Sequence, residues 1–380
     1  ELQIEMSQPK AFLDQDLRFH YQVDRSELGV DFYSVDSAVG DGHFALFVHP
    51  PNQAEAGRVL PKRVFFLLST SSRSFGTRLA QSIEAISQSL DLLSDQDVFN
   101  IILVGSSVEA WNSAPVAAST ANITAARAVL ATAQSSFGYR MDRALVDALG
   151  QIQDDAFINS ILVFADGFSP IDPREIEALN TFHTGIFPIG IGEDLNRSRM
   201  ELLAALNYGF VSYIDGDNLR EEVVRVFRKL SRPILANTAI EYDKADLAHI
   251  LPSKIPTTYA GSFFFTTGRY GSPGRSSFSI SGLSTDGITV FDGQLEFSDR
   301  RDGSRFVESL WAKESIDDFE RRIAIFGLEE ELKEEVVSLS LTYNLRSRFT
   351  AFIADYQTLY ESEEEQPGIL DGGFFTSSGV

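Results

Sequence analysis

The chain of 380 residues contains no cysteine. Disulfides, thiolate zinc sites and cysteine nucleophiles are therefore excluded, while the redox compartment is left open. No apolar run approaches the roughly 20 residues needed to span a bilayer, so no transmembrane segment is expected. Runs of Lys and Arg are missing as well. With 32 basic against 54 acidic residues the formal charge is -22, a surface that repels phosphodiester backbones and argues against a nucleic-acid partner. The five histidines, His20, His43, His49, His183 and His249, fall in no ligand spacing and read as strand or surface residues. Ser, His and Asp are available for a triad, but no GxSxG elbow occurs. Neither an enzyme nor a bound cofactor is expected. "GRYGSPGRSS" lacks the Lys and following helix of a P-loop and reads as a hairpin turn.

What the chain does have is apolar surface, with 43% hydrophobic residues and 30 Phe. That is enough for packed cores, and the length suggests two domains. Residues 1–60 carry short alternating runs ("LRFHYQV", "VDFYSV", "HFALFVHPP"), the pattern of antiparallel strands. Residues 61–231 alternate nearly continuous apolar runs ("RVFFLLS", "VFNIILVG", "INSILVFAD", "GIFPIGIG") with amphipathic helical spacing. In one such helix Leu79, Ile83, Ile86, Leu90 and Leu93 share a face. This predicts a doubly wound, mostly parallel, Rossmann-like α/β sheet. Strand patterns return over residues 232–360, with a helix at 305–326 and closing strands in "VVSLSLTYNL" and "RFTAFIADYQ". The expected architecture is α/β plus β, in which residues 1–60 and 232–360 form one β-sandwich and residues 61–231 interrupt it. Residues 361–380 form an acidic, Gly/Ser-containing tail. It reads as a solvated tail or as a docking segment anchored by Ile369, Leu370, Phe374 and Phe375.

In a doubly wound sheet, ligands bind beyond the carboxyl ends of the strands where the strand order reverses. The loop after "FFLL" and the "ADGFSP" loop are at such ends. The phrases "GHFALFVHPP", "LPKRVFFLL", "LSDQDVFNIILVGSSVEAW", "FADGFSP", "IFPIGIGEDLNRSRMELLAALNYGF" and "RPILANTAIEY" resemble, in order, the von Willebrand factor type A (VWA) domain of the heavy chains of inter-alpha-trypsin inhibitor and their bacterial relatives. In those proteins a VIT domain precedes it, and the resemblance places Glu1 within that domain.

The resemblance implies a metal-ion-dependent adhesion site built from Asp-x-Ser-x-Ser on one loop, a Thr on a second and an Asp on a third. Here those positions are Ser69, Ser71, Arg73, Tyr139 and Asp166, so Ser71 and Asp166 alone keep the family residue. A guanidinium has no lone pair to give a metal, and the expectation is a degenerate site that holds no metal. Arg73 either pairs with Asp166 in place of the ion or points into solvent. The Asp-Pro-His motif through which heavy chains are esterified to a glycosaminoglycan is absent. "SDRRDGSR" and "DGDN" could hold calcium but more often mark turns. Asn122-Ile-Thr and Asn196-Arg-Ser fit the glycosylation pattern, which occurs often by chance. The implied function is a non-catalytic, protein-binding or self-assembling protein that is secreted, periplasmic or at the cell surface. The alternative is a metal-dependent adhesin that takes a partner's carboxylate on a non-standard cation site.

Overall fold

Every residue of Lys62–Ser69 is buried, as a strand must be when helices cover both faces of its sheet. The computed structural model describes residues 28–37, 40–50, 60–71, 77–191, 194–214, 219–259, 262–284, 287–300 and 306–350. Two strands come first, β1 (Gly29–Val35) and β2 (Gly42–His49). The α/β region follows as β3 (Lys62–Ser69), α1 (Thr77–Ser89), β4 (Val98–Val104), β5 (Val108–Ala110), β6 (Val116–Ala117), α2 (Thr120–Thr132), α3 (Met141–Gly150), β7 (Ile158–Phe164), α4 (Pro173–Leu179), β8 (Gly185–Ile191), α5 (Arg197–Leu206), β9 (Ser212–Ile214) and α6 (Leu219–Leu230). Beyond it lie β10 (Pro233–Tyr242), β11 (Leu247–Leu251), β12 (Thr258–Tyr259), β13 (Phe264–Tyr270), β14 (Gly274–Ser284), β15 (Gly287–Phe297), α7 (Phe306–Phe326) and α8 (Glu330–Thr342).

The α/β sheet has seven strands in the order β5-β4-β3-β7-β8-β9, with β6 also on β4. β4, β3, β7, β8 and β9 are parallel, and β5 and β6 are antiparallel. Alternate residues of β3 feed opposite cores. Val64, Phe66 and Leu68 pack with Leu79 and Ile86 of α1 and Phe227 of α6, while Phe65 and Leu67 pack with Leu145 of α3 and Leu203 of α5. The backbone steps from β3 to β4 on one side and later to β7 on the other, so the order reverses at β3.

Two four-stranded sheets flank this region in sequence. One has the order β1-β2-β13-β11 and joins strands from before and after the α/β region. The other has the order β12-β10-β14-β15. Phe44, Leu46, Val48 and Phe264 of the first pack against Leu235, Phe278, Ile280 and Leu295 of the second. The opposite face of β2 lies under the C-terminal helices, with Ala45 on Val307 of α7.

Two expectations are corrected. "VVSLSLTYNL" is not a closing strand, because its first seven residues end α8. Val336 and Leu339 pack on Trp311, Ala312 and Ile316 of α7. The Gly-rich "GRYGSPGRSS" is not a hairpin, because β13 and β14 belong to different sheets and the turn passes between them. Arg73, "LRFHYQV", His20, "DGDN", most of "SDRRDGSR", most of "RFTAFIADYQ" and the 361–380 tail lie outside the described residues.

Candidate functional site: the loops at the reversal of the sheet

The loops after β3 and β7 leave adjacent parallel strands at their carboxyl ends. They bring together three of the five expected residues. Ser69 and Asp166 line one cavity of about 20 Å³, space for a single water or ion. Ser71 is two residues on, and its N–H faces Ser69 Oγ at 3.4 Å. All three are buried. Asp166 is held within its own loop: Oδ1 accepts the Phe168 N–H at 3.0 Å, and its carbonyl accepts the Asn196 N–H at 2.9 Å. Gly167 between them adopts φ +77°, and a Cβ there would lie 2.8 Å from the Asn196 carbonyl oxygen. This turn requires glycine.

Tyr139 does not line that cavity. Its carbonyl accepts a long bond of 3.4 Å from Ser169 Oγ, in the loop after Asp166. The second-loop hydroxyl that reaches the first loop is instead Ser136. Its N–H donates to the Thr70 carbonyl at 2.7 Å, its Oγ is 3.2 Å from Thr70 Oγ1, and it bridges to Ser71. Gly105 makes this approach possible, because a Cβ there would sit 1.9 Å from Ser136 Oγ.

Sequence reasoning also missed Arg78, which lines the cavity beside Ser69 and Asp166. The signal was its place in the first turn of α1, since helical side chains lean toward the N-terminus and here toward the β3 loop. On the second and third of these loops Phe137 is 83% exposed and Phe168 39%.

A magnesium ion demands near-octahedral oxygen ligands at about 2.0–2.1 Å and is bound through carboxylates and water. Among the described residues this cavity offers one carboxylate, partly consumed by its own loop, and Arg78 also lines it. The described lining residues alone do not supply that ligand set. One atom points the other way: Ser71 Oγ is buried and has no hydrogen-bond partner among the described residues.

Residues 62–213 match the model of the von Willebrand factor type A domain. Along nearly its whole length the chain is similar to inter-alpha-trypsin inhibitor heavy chains. It is 22% identical to heavy chain H2 of Mesocricetus auratus over 97% of this chain and 42% of that protein. It is 24% identical to heavy chain H4 of Homo sapiens over 91% of this chain and 39% of that one. The chain thus spans about two fifths of the length of these relatives. Among solved structures, a von Willebrand factor type A protein from Catenulispora acidiphila superposes with a TM-score of 0.62 at 14% identity, covering 86% of this chain and 89% of that one. The ArnB paralog VWA2 from Sulfolobus acidocaldarius gives 0.55 at 13% identity, covering 83% and 90%. With this match, the sheet order and the reversal at β3, residues 62–213 of the chain form a von Willebrand factor type A domain.

Proposed function

We propose that the chain is a non-catalytic protein-interaction module of a secreted, periplasmic or cell-surface protein. It engages a protein partner, or a second copy of itself, through the loop face at the carboxyl end of the VWA sheet, without an ion. The observation that carries this reading is the state of Asp166, the one family carboxylate retained. It is buried, accepts a bond within its own loop and shares its cavity with Arg78. The relic site is Ser69, Ser71, Arg73, Tyr139 and Asp166, and the exposed rings of Phe137 and Phe168 supply apolar contact area beside it. On the same reading, residues 1–60 and 232–360 form one β-sandwich that the VWA domain (residues 61–231) interrupts, consistent with β2 lying beside β13.

Calorimetric titration of Mg²⁺, Mn²⁺ and Ca²⁺ into the chelator-treated protein tests the absence of an ion. The expected result is no saturable heat. Micromolar Mg²⁺ affinity that Asp166→Ala abolishes would overturn the reading. That outcome belongs to the second reading, a metal-dependent adhesin, which the unpartnered Ser71 Oγ favours.

A further inference from the structure

A second cleft, of about 420 Å³, lies where the VWA domain meets the β-region, beside the amino end of β8 and not at the carboxyl ends that carry the relic site. Its volume falls in the range of small-molecule sites, which favour such junctions. One wall comes from the VWA loops. The His183 and Tyr208 rings are 5.2 Å apart, and both residues hold left-handed backbone, at φ +48° and +55°. A buried amide network fixes these loops. Asn180 accepts the Thr184 N–H and donates to the Thr184 carbonyl and to Asn207 Oδ1, while Asn207 donates to the Leu203 carbonyl. The wall is therefore rigid before any ligand arrives.

The opposite wall is β10, whose pairing with β14 is interrupted between Ala236 and Ala239. Asn237, at φ +51°, sits in that bulge, and bulges re-aim neighbouring side chains. The next residue, Thr238, lines the cleft at 7% exposure, and its Oγ1 has no hydrogen-bond partner among the described residues. A buried hydroxyl left unmatched is costly unless something else supplies the partner.

The remaining lining sets the chemistry. Ile240, Ile250 and Ile255 make an apolar body, and Lys254 places an ammonium at the cleft. Among the described residues no Asp or Glu lines it, in a protein of net charge -22. Tyr242 contributes a neutral phenol, pushed up to about 12 by burial and bonded to Thr266 Oγ1. The Lys254 ammonium is 3.5 Å from Glu177, and both side chains are about one-third exposed, a loose pair that a ligand could displace. We propose that this cleft binds a small organic carboxylate, its charged end on Lys254 and Thr238 and its hydrocarbon part on the three isoleucines.

The test uses the whole 380-residue chain with benzoate, octanoate, the neutral isostere benzamide, and a dipeptide, N-acetyl-leucyl-leucine, that presents a C-terminal carboxylate. Binding is read by saturation-transfer NMR and calorimetry. The acids should bind at least about ten-fold more tightly than benzamide, and Lys254→Met should remove about that factor, as expected for a charge-assisted bond. Thr238→Val should weaken binding while leaving the urea midpoint unchanged or raised, because no protein partner is lost. Tighter binding of the dipeptide than of the free acids would support the site and assign its natural occupant to the carboxyl end of a peptide. Equal affinity for acid and amide, indifference to Lys254→Met in a folded variant, or no binding by any probe would overturn the proposal.

Discussion

Acidification should loosen the packing of the C-terminal helices on the β-region, because His43 is buried there as a neutral ring. His43 follows Gly42 at the start of β2, is 3% exposed, and points away from the core between the sheets, toward α7 and α8. Its ring lies 4.7 Å from that of Trp311, and Nε2 is 3.2 Å from the Tyr343 hydroxyl. Nδ1 is buried with no partner among the described residues. The charged groups around it are Arg269 on β13 and Asp41, and His249 on β11 touches the same Trp311 from another side. Burial, helped by Arg269 and opposed by Asp41, lowers the His43 pKa from 6.5 to about 4. His249 is lowered too, by burial first and Arg269 second. Between pH 6.5 and about 4 the unfolded protein therefore binds the proton and the folded protein does not, so stability is full above 6.5 and falls as pH drops. From pH 7 to pH 5 the loss attributable to His43 is about 2 kcal/mol, a large share of a typical folding free energy. Urea unfolding followed by tryptophan fluorescence, at half-unit steps over that range, measures it, and Trp311 reports from the contact itself. His43→Phe keeps a ring against Trp311 but cannot titrate. It should be less stable at pH 7 through loss of the Tyr343 bond, with a clearly shallower slope between pH 7 and 5. Parallel slopes for the two proteins would refute the reasoning.

The amino end of the VWA sheet holds a buried ion pair, Lys62 Nζ to Asp97 at 2.9 Å, and Asp97 also accepts the Lys62 and Ser94 N–H groups. Lys62→Met should cost about 3–5 kcal/mol by leaving that carboxylate buried without its cation, seen as a lower urea midpoint. Gly105→Ala drives a methyl against Ser136 Oγ and Thr70 Oγ1. It should cost about 1–3 kcal/mol and speed exchange of the Ser136 amide, with no effect if the loops simply part. A double-mutant cycle of Arg78→Ala and Asp166→Ala should give a non-zero coupling energy in the thermal midpoint, since the two side chains share one cavity. Additive effects would make Arg78 a bystander. Binding of a protein partner, once one is in hand, should survive EDTA and fall on Phe137→Ala.

The α/β region was legible because buried parallel strands leave an unambiguous signal. Each of β3, β4, β7 and β8 is an apolar run with helical spacing after it, and both loops of the candidate site follow from strand ends. The site itself was only half legible. Ser69, Ser71 and Asp166 converge because they sit at, or one or two residues past, adjacent strand ends. Tyr139 and Ser136 lie on an irregular connection whose register no periodicity sets, and Gly138 at φ +109° turns the backbone between them. The α8 segment failed for a different reason. "VVSLSLTY" taken alone alternates like a strand, and with β-branched residues it invites that reading. Begun at Glu330, the same stretch places Val336, Leu339, Ser340 and Tyr343 at steps of three, one and three, a single helical face. Ser340 turns its hydroxyl back to the Val336 carbonyl at 2.6 Å, so a polar residue can sit buried on that face. A run this short is compatible with both periods, so a longer window is needed to choose between them. The acidic first turn of α8, Glu330 and Glu331 at the positive end of the helix dipole, breaks the tie.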